Sequence, residues 1–177
     1  MRTVAHGAGV WVATVSRSLG LCPGIWKMMR ISDLAEIEGR VFPAGRRSRN
    51  LVGGASPIQA TAFSLGYVIL DPNGGQVPWH NHVQEEVYFV LEGAGEMCVG
   101  ADRQQISSGQ TVYIPSGAFH QLTNTGAVPL KMIYCFGPAG EVAHWRQELE
   151  GTLPQAGIDA PCLPNGAHPQ YTNPPTA

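Results

Sequence analysis

The chain has 177 residues and a mass of 18.9 kDa, with 11 Lys and Arg against 13 Asp and Glu, so its formal net charge is −2. At 14% charged and 44% hydrophobic residues it is neither a disordered polyelectrolyte nor a basic surface for nucleic acid, and one domain is expected. Its 22 Gly and 14 Pro predict many turns and short strands rather than long helices.

Taken in chain order, residues 1–28 carry no period that would place them in a core and read as an N-terminal extension, an appendage at best. Val10 to Val15 behind Arg2 has the texture of a signal core, but Arg17 ends it early, and the expectation is a cytoplasmic protein. No run is apolar for the roughly 18 residues of a membrane span, so no membrane partner is expected. Cys22, Cys98, Cys135 and Cys162 lie far apart without a Cys-x-x-Cys pair, which reads as idle thiols in a reducing compartment.

Residues 29–58 read as a helix and connector. Asp33 to Glu36 has the acidic spacing of a helix cap, predicting a short helix through Ile37. Gly39 to Pro57 follows as a turn-rich connector whose Arg46, Arg47 and Arg49 face solvent, with an anion-binding role as the alternative. From 59 to 138 the texture is that of strands: Ala62 to Leu70, Val87 to Leu91, Gly95 to Val99, Thr111 to Ile114, His120 to Asn124 and Leu130 to Phe136. Gly- and Pro-containing turns separate them, which predicts an all-β antiparallel barrel or sandwich. Residues 139–153 hold a helix over Glu141 to Glu150 with Trp145 and Leu149 on one face, and 154–177 is a Pro-rich tail that wraps a surface or stays disordered.

Four residues in the strand region stand at spacings that suggest a metal. His80 and His82 are two apart, so on extended chain they share a side; Glu86 has the same parity, and His120 opens a later strand. Three neutral imidazoles with one carboxylate suit one divalent transition metal per chain, Fe, Mn, Zn, Ni, Co or Cu. A single histidine would be better read as an ordinary hydrogen-bonded core or surface residue, but four such residues among well-placed glycines point to metal.

Gly74, five residues, His80-Asn81-His82, three residues, Glu86, six residues and Gly93 resemble the first motif of the cupins. Gly109, five residues, Pro115, one residue, Gly117, two residues, His120, three residues and Asn124 resemble the second. The resemblance covers about residues 60–137, with fifteen residues between the motifs, and resembles the compact single-barrel type. It implies a jelly-roll antiparallel β-barrel with short flanking helices and the metal inside, and ligand roles for His80, His82, Glu86 and His120. The motif glycines are read as turn positions, Pro115 as an aid to aiming His120, and Asn124 as a hydrogen-bonding residue inside the barrel rather than a ligand.

Because the fold hosts many chemistries, the lining has to choose among them. Tyr88 and Val90 share the parity of Glu86, Leu122 that of His120, and Met97 or Cys98 points inward depending on register; Trp79 and Phe119 are placed at the rim. For each of these alone, core packing is the commoner role. The lining reads as apolar to aromatic, with Lys131 the only strand cation and its facing unassigned. The leading expectation is a mononuclear non-haem Fe(II) dioxygenase-type oxidoreductase for a small aromatic or chelating oxygenated substrate, with Tyr88 orienting the complex. The alternatives are a metal-dependent isomerase or decarboxylase of a small hydroxy or keto compound, and a small-molecule-binding cupin without turnover. A homodimer is expected through Tyr134 and Phe136, or through Ile133 and Cys135.

Overall fold

A computed structural model describes residues 29–172. The calls on residues 1–28, Cys22 among them, therefore lie outside the described residues. Ten strands form two antiparallel sheets. The six-stranded sheet has the order β1 (Arg40–Phe42), β2 (Arg46–Val52), β3 (Ser64–Leu70), β10 (Leu130–Gly137), β5 (Glu85–Glu92), β8 (Thr111–Ile114). The four-stranded sheet has the order β4 (Gln76–His80), β9 (His120–Thr123), β6 (Ala94–Val99), β7 (Asp102–Ser107). The two inner faces meet in one core that includes Val68, Leu70, Val90, Ile114, Leu122 and Met132.

Alternation does most of the work. β3 and β10 bury every second residue, and β10 pairs with β3 on one side and β5 on the other. Gly66 faces Tyr134 across the β3–β10 pair, and a Cβ there would sit inside the phenol ring, so only glycine lets that tyrosine fill the core. Gly74, Gly93, Gly109 and Gly117 all take positive φ, as turn positions should.

Several sequence expectations are corrected. The predicted connector contains β1 and β2, which lengthen the six-stranded sheet; Arg46 lies on the buried parity of β2 at 3% exposure rather than on a solvated face. β4 and β7 were also not expected as strands, since Pro78 and polar β7 hide the alternation. The helix cap at Asp33 holds, its carboxylate accepting from Ala35 N at 2.8 Å, but the element is a 3-10 turn over Leu34–Glu36. Helix α1 (Ala143–Glu150) turns His144 and Glu148 inward, four residues apart, while Leu149 is 45% exposed and Trp145 half-buried. Tyr134 and Phe136 also point into the core, which leaves Ile133 and Cys135 as the outward pair on β10.

The tail wraps the outer face of the four-stranded sheet. Polar side chains buried there find backbone partners in it: Gln76 Nε2 donates to Pro169 O at 2.8 Å, and Gln121 Nε2 to His168 O at 2.9 Å. Glu96 accepts from His168 N at 2.6 Å, and Trp79 Nε1 donates to Pro161 O at 2.9 Å. Trp79 is therefore fully buried between sheet and tail, 5.6 Å from the Phe119 ring, and not at the barrel rim.

Candidate metal centre

β4 aims the first ligand by an irregularity. Its pairing with β9 shifts between Val77 and His80, so both of these turn inward while Gln76 and Trp79 turn to the tail. Pro78 sits in the shift, where the missing N–H removes no needed ladder bond. His82 follows just past the strand, Glu86 enters on β5 beside it, and His120 opens β9 opposite His80.

The structure brings all four predicted residues together: one donor atom from each of His80, His82, Glu86 and His120 lies within 4.8 Å of the others. Each imidazole Nδ1 faces a backbone carbonyl two residues away, His80 on Pro78 O at 2.7 Å, His82 on Gln84 O at 3.1 Å and His120 on Ala118 O at 3.0 Å. A carbonyl only accepts, so each Nδ1 carries the proton and each Nε2 presents a lone pair. Those Nε2 atoms face Glu86: His82 at 3.1 Å and His120 at 3.2 Å from the same oxygen, Oε2. The His120 contact lacks hydrogen-bond geometry, and the buried Nε2 atoms of His80 and His120 have no partner.

Lone pairs and a carboxylate cannot crowd together without positive charge between them. A proton does not fill that role at His80, which burial, then the neighbouring His144, His120 and His82, hold well below its ordinary 6.5. For Glu86, burial pushes the pKa up, but the interactions with His120 and His82 outweigh it and keep the carboxylate ionised. Three imidazoles and a carboxylate with orphaned donor atoms fit one divalent transition metal.

Tyr88 lies behind Glu86, 2% exposed, its ring 6.0 Å from His120. Burial, and then the Glu86 charge, push its phenol well above 10, so it stays protonated beside the carboxylate. Met97 resolves the register question: it enters the core, whereas Cys98 faces the tail side and burial lifts its thiol to about 11. Lys131 points out and pairs with Glu92 at 2.7 Å. Asn124 is fully buried and ties two turns together, its Nδ2 donating to Leu70 O, Asp71 O and Val128 O.

Sequence reasoning missed the residues that close the barrel. His144 of α1 lays its ring 3.6 Å from that of His80, and its Nε2 is 3.5 Å from Arg46 Nη1. Arg46 in turn pairs with Glu148 and sits over the Phe42 ring at 3.8 Å. Glu148 also accepts from Ala44 N at 3.2 Å. The expectation that the barrel holds no cation but Lys131 thus fails at Arg46. The cavity beside Glu86, Tyr88 and His144 measures about 10 Å³, near the volume of a single water. A larger groove of about 510 Å³ lies outside it, between β1, β2 and α1, and Val142 and Trp145 border both.

The comparisons agree with this architecture. The cupin-domain family model matches residues 66–136. An uncharacterised protein of Streptomyces coelicolor is 35% identical over 78 residues, 43% of this chain and 70% of its own length. One of Methanocaldococcus jannaschii is 38% identical over 68 residues, 38% of this chain, which spans only 54% of that relative. The crystal structure of an RmlC-like cupin from Shewanella frigidimarina superposes with a TM-score of 0.54 at 18% identity, covering 63% of this chain and 93% of that one; it speaks to the fold alone. With both motifs in place on a matching barrel, the chain belongs to the cupin family, as a single-barrel type-2 member.

Proposed function

We propose that this cupin is a metal-dependent enzyme in which His80, His82, Glu86 and His120 hold one divalent ion, Fe(II) by preference, for dioxygenase-type oxidation of a small chelating oxygenated substrate. The observation that carries the reading is the donor set itself, three oriented imidazoles and one ionised carboxylate, of which Glu86 lines a small cavity. Val68, Val77, Met132, Phe136, Val142 and Trp145 give that cavity, of about 10 Å³, a largely apolar lining. A metal held by these four residues would supply the redox chemistry for oxidation of a chelating substrate by dioxygen. Tyr88 keeps its proton beside the Glu86 carboxylate and lines the same cavity, where it would orient the complex.

One observation favours a second reading, an oxygen-independent isomerase or decarboxylase. His144, held neutral by burial and then by Arg46, lines the cavity that Glu86 also lines. In that reading a bound metal would supply Lewis-acid polarisation of a substrate carbonyl, and His144 would offer its Nδ1–H as a hydrogen-bond donor. The test compares Fe(II), Mn(II) and Zn(II) forms with hydroxyketone, diketone and catechol substrates, with and without oxygen. Oxygen uptake with Fe(II) and none with Zn(II) supports the first reading; turnover indifferent to oxygen overturns it. Substrate binding without turnover in every metal form would leave a binding protein.

We infer a cytoplasmic location, and the free thiols of Cys98, Cys135 and Cys162 among the described residues are compatible with it. We infer a homodimer through the outer face of the six-stranded sheet around Ile133 and Cys135, and a monomer mass by light scattering would reject it.

A further inference from the structure

The part of the cavity built by β2 and α1, beside the metal ligands, contains two hydrogen-bond donors with nothing to donate to. Arg46 uses Nη2 on Glu148 and Nη1 towards His144, but its Nε is buried without a partner. His144 turns Nε2 to that guanidinium, which has only protons to offer, so Nε2 is the lone pair and Nδ1 carries the proton. That Nδ1 is also buried and unpartnered. Arg46 is 3% exposed and His144 4%, and both line the cavity that Glu86 also lines.

Orphaned buried donors are costly, and two on one cavity wall mark the place of an acceptor that the protein itself does not provide. Charge says which kind. Arg46 brings a fixed positive charge to the cavity lining and a bound divalent ion would add to it, so an anionic acceptor is favoured. We propose that the substrate is a small carboxylate with an oxygen on the adjacent carbon, its carboxylate received by Arg46 Nε–H and His144 Nδ1–H while its other oxygen reaches the metal. This rests on the metal-dependent reading above and narrows its substrate class, since the rest of the lining, Tyr88 and Tyr134 apart, is apolar and offers no partner for a second charge. A carboxylate exceeds the present cavity, so its entry displaces Trp145 or Val142, the shared wall with the outer groove.

The test uses the full chain loaded with redox-inert Zn(II), with metal content measured and binding read by calorimetry for lactate, pyruvate and the neutral amide lactamide. Lactate and pyruvate bind, and lactamide binds at least about tenfold more weakly. Because the metal alone prefers an anion, the deciding quantity is the lactate-to-lactamide affinity ratio. It falls about tenfold in His144→Phe, which keeps a ring against His80 but has no N–H, and recovers in His144→Asn, whose amide keeps a donor. Arg46→Lys, which retains charge opposite Glu148 and lacks Nε–H, lowers the ratio similarly. An unchanged ratio in both His144→Phe and Arg46→Lys overturns the proposal, as does Zn(II)-loaded protein that binds neither lactate nor pyruvate. Failure of the wild type to hold Zn(II) overturns the metal-dependent reading itself, and this inference with it.

Discussion

The two walls of the cavity are built by different rules. On the metal wall each imidazole is fixed by a carbonyl two residues away, and His82 and Glu86 are four apart, so the geometry is written locally in strand and turn. On the other wall the contacts of Arg46 and Ala44 with His144 and Glu148 join positions 98 to 104 apart and exist only once β2 and α1 have docked. The first wall tolerates changes elsewhere and fails by losing its ion. The second depends on an ion pair excluded from water, and removing either partner strands the other charge.

The largest expected contrast is in metal content. His82→Ala removes a donor atom and should weaken metal binding by at least about a hundredfold, more than loss of a supporting hydrogen bond does, while His168→Ala in the tail should leave it intact. Elemental analysis after dialysis reads the difference, and equal metal in both variants would break the assignment. His144→Ala does not serve as a neutral control, because its ring packs on His80. The next effect belongs to the other wall. Glu148→Ala leaves the Arg46 guanidinium buried without a counter-charge and should cost about 3–5 kcal/mol in urea unfolding. The double change Arg46→Met, Glu148→Leu should recover most of it; a double variant as unstable as the single one would show that the pair is not the cause.

This division also explains what could be read from the sequence. The ligands, the turn glycines and β3, β5 and β10 were legible because their signals are parity and fixed short spacing. Arg46 was not, since three arginines in four residues among turn formers look solvated until the alternation of β2 is known. His144 and Glu148 were hidden for a related reason: two polar residues on the inner face of α1 contradict the rule that a helix turns its apolar side in, and only the charge already buried on β2 makes them the right occupants. The tail was illegible because it contributes backbone groups, which every sequence has, to side chains such as Gln76 and Gln121 that look surface-exposed in print.

Acid should separate the walls further. His80 and His144 are both held neutral in the folded, metal-free protein, with burial as the first cause, whereas in the unfolded chain they protonate near the ordinary 6.5. Above that value neither state binds the proton and the two histidines add no pH dependence. Below it the unfolded state binds more protons, so stability falls as pH falls, by about 1.4 kcal/mol per pH unit for each histidine until its depressed folded value is reached. Urea unfolding of chelator-treated protein between pH 7.5 and 5.5 should show this decline, and His144→Phe should show about half the slope. A flat profile would mean that the buried rings are already charged, which would undo the lone-pair argument for the metal.

The smallest effect concerns the tail, which supports the metal wall only from behind. Gln170 is its main fastener: Oε1 accepts from Ala156 N at 2.9 Å, and Nε2 donates to Pro154 O at 2.8 Å and to Trp79 O at 3.3 Å. Trp79 stands next to His80 but on the opposite side of β4, so loosening the tail disturbs the sheet's outer face before it disturbs the ligand. Gln170→Ala should cost about 1–2 kcal/mol in urea unfolding, the scale of a few net hydrogen bonds, and raise the accessibility of the Trp79 indole to a fluorescence quencher. Metal content should stay as in the wild type. If Gln170→Ala instead released the metal, the outer face and the metal wall would be one cooperative unit, and the contrast between a locally fixed wall and one assembled at long range would have to be redrawn with the tail on the long-range side.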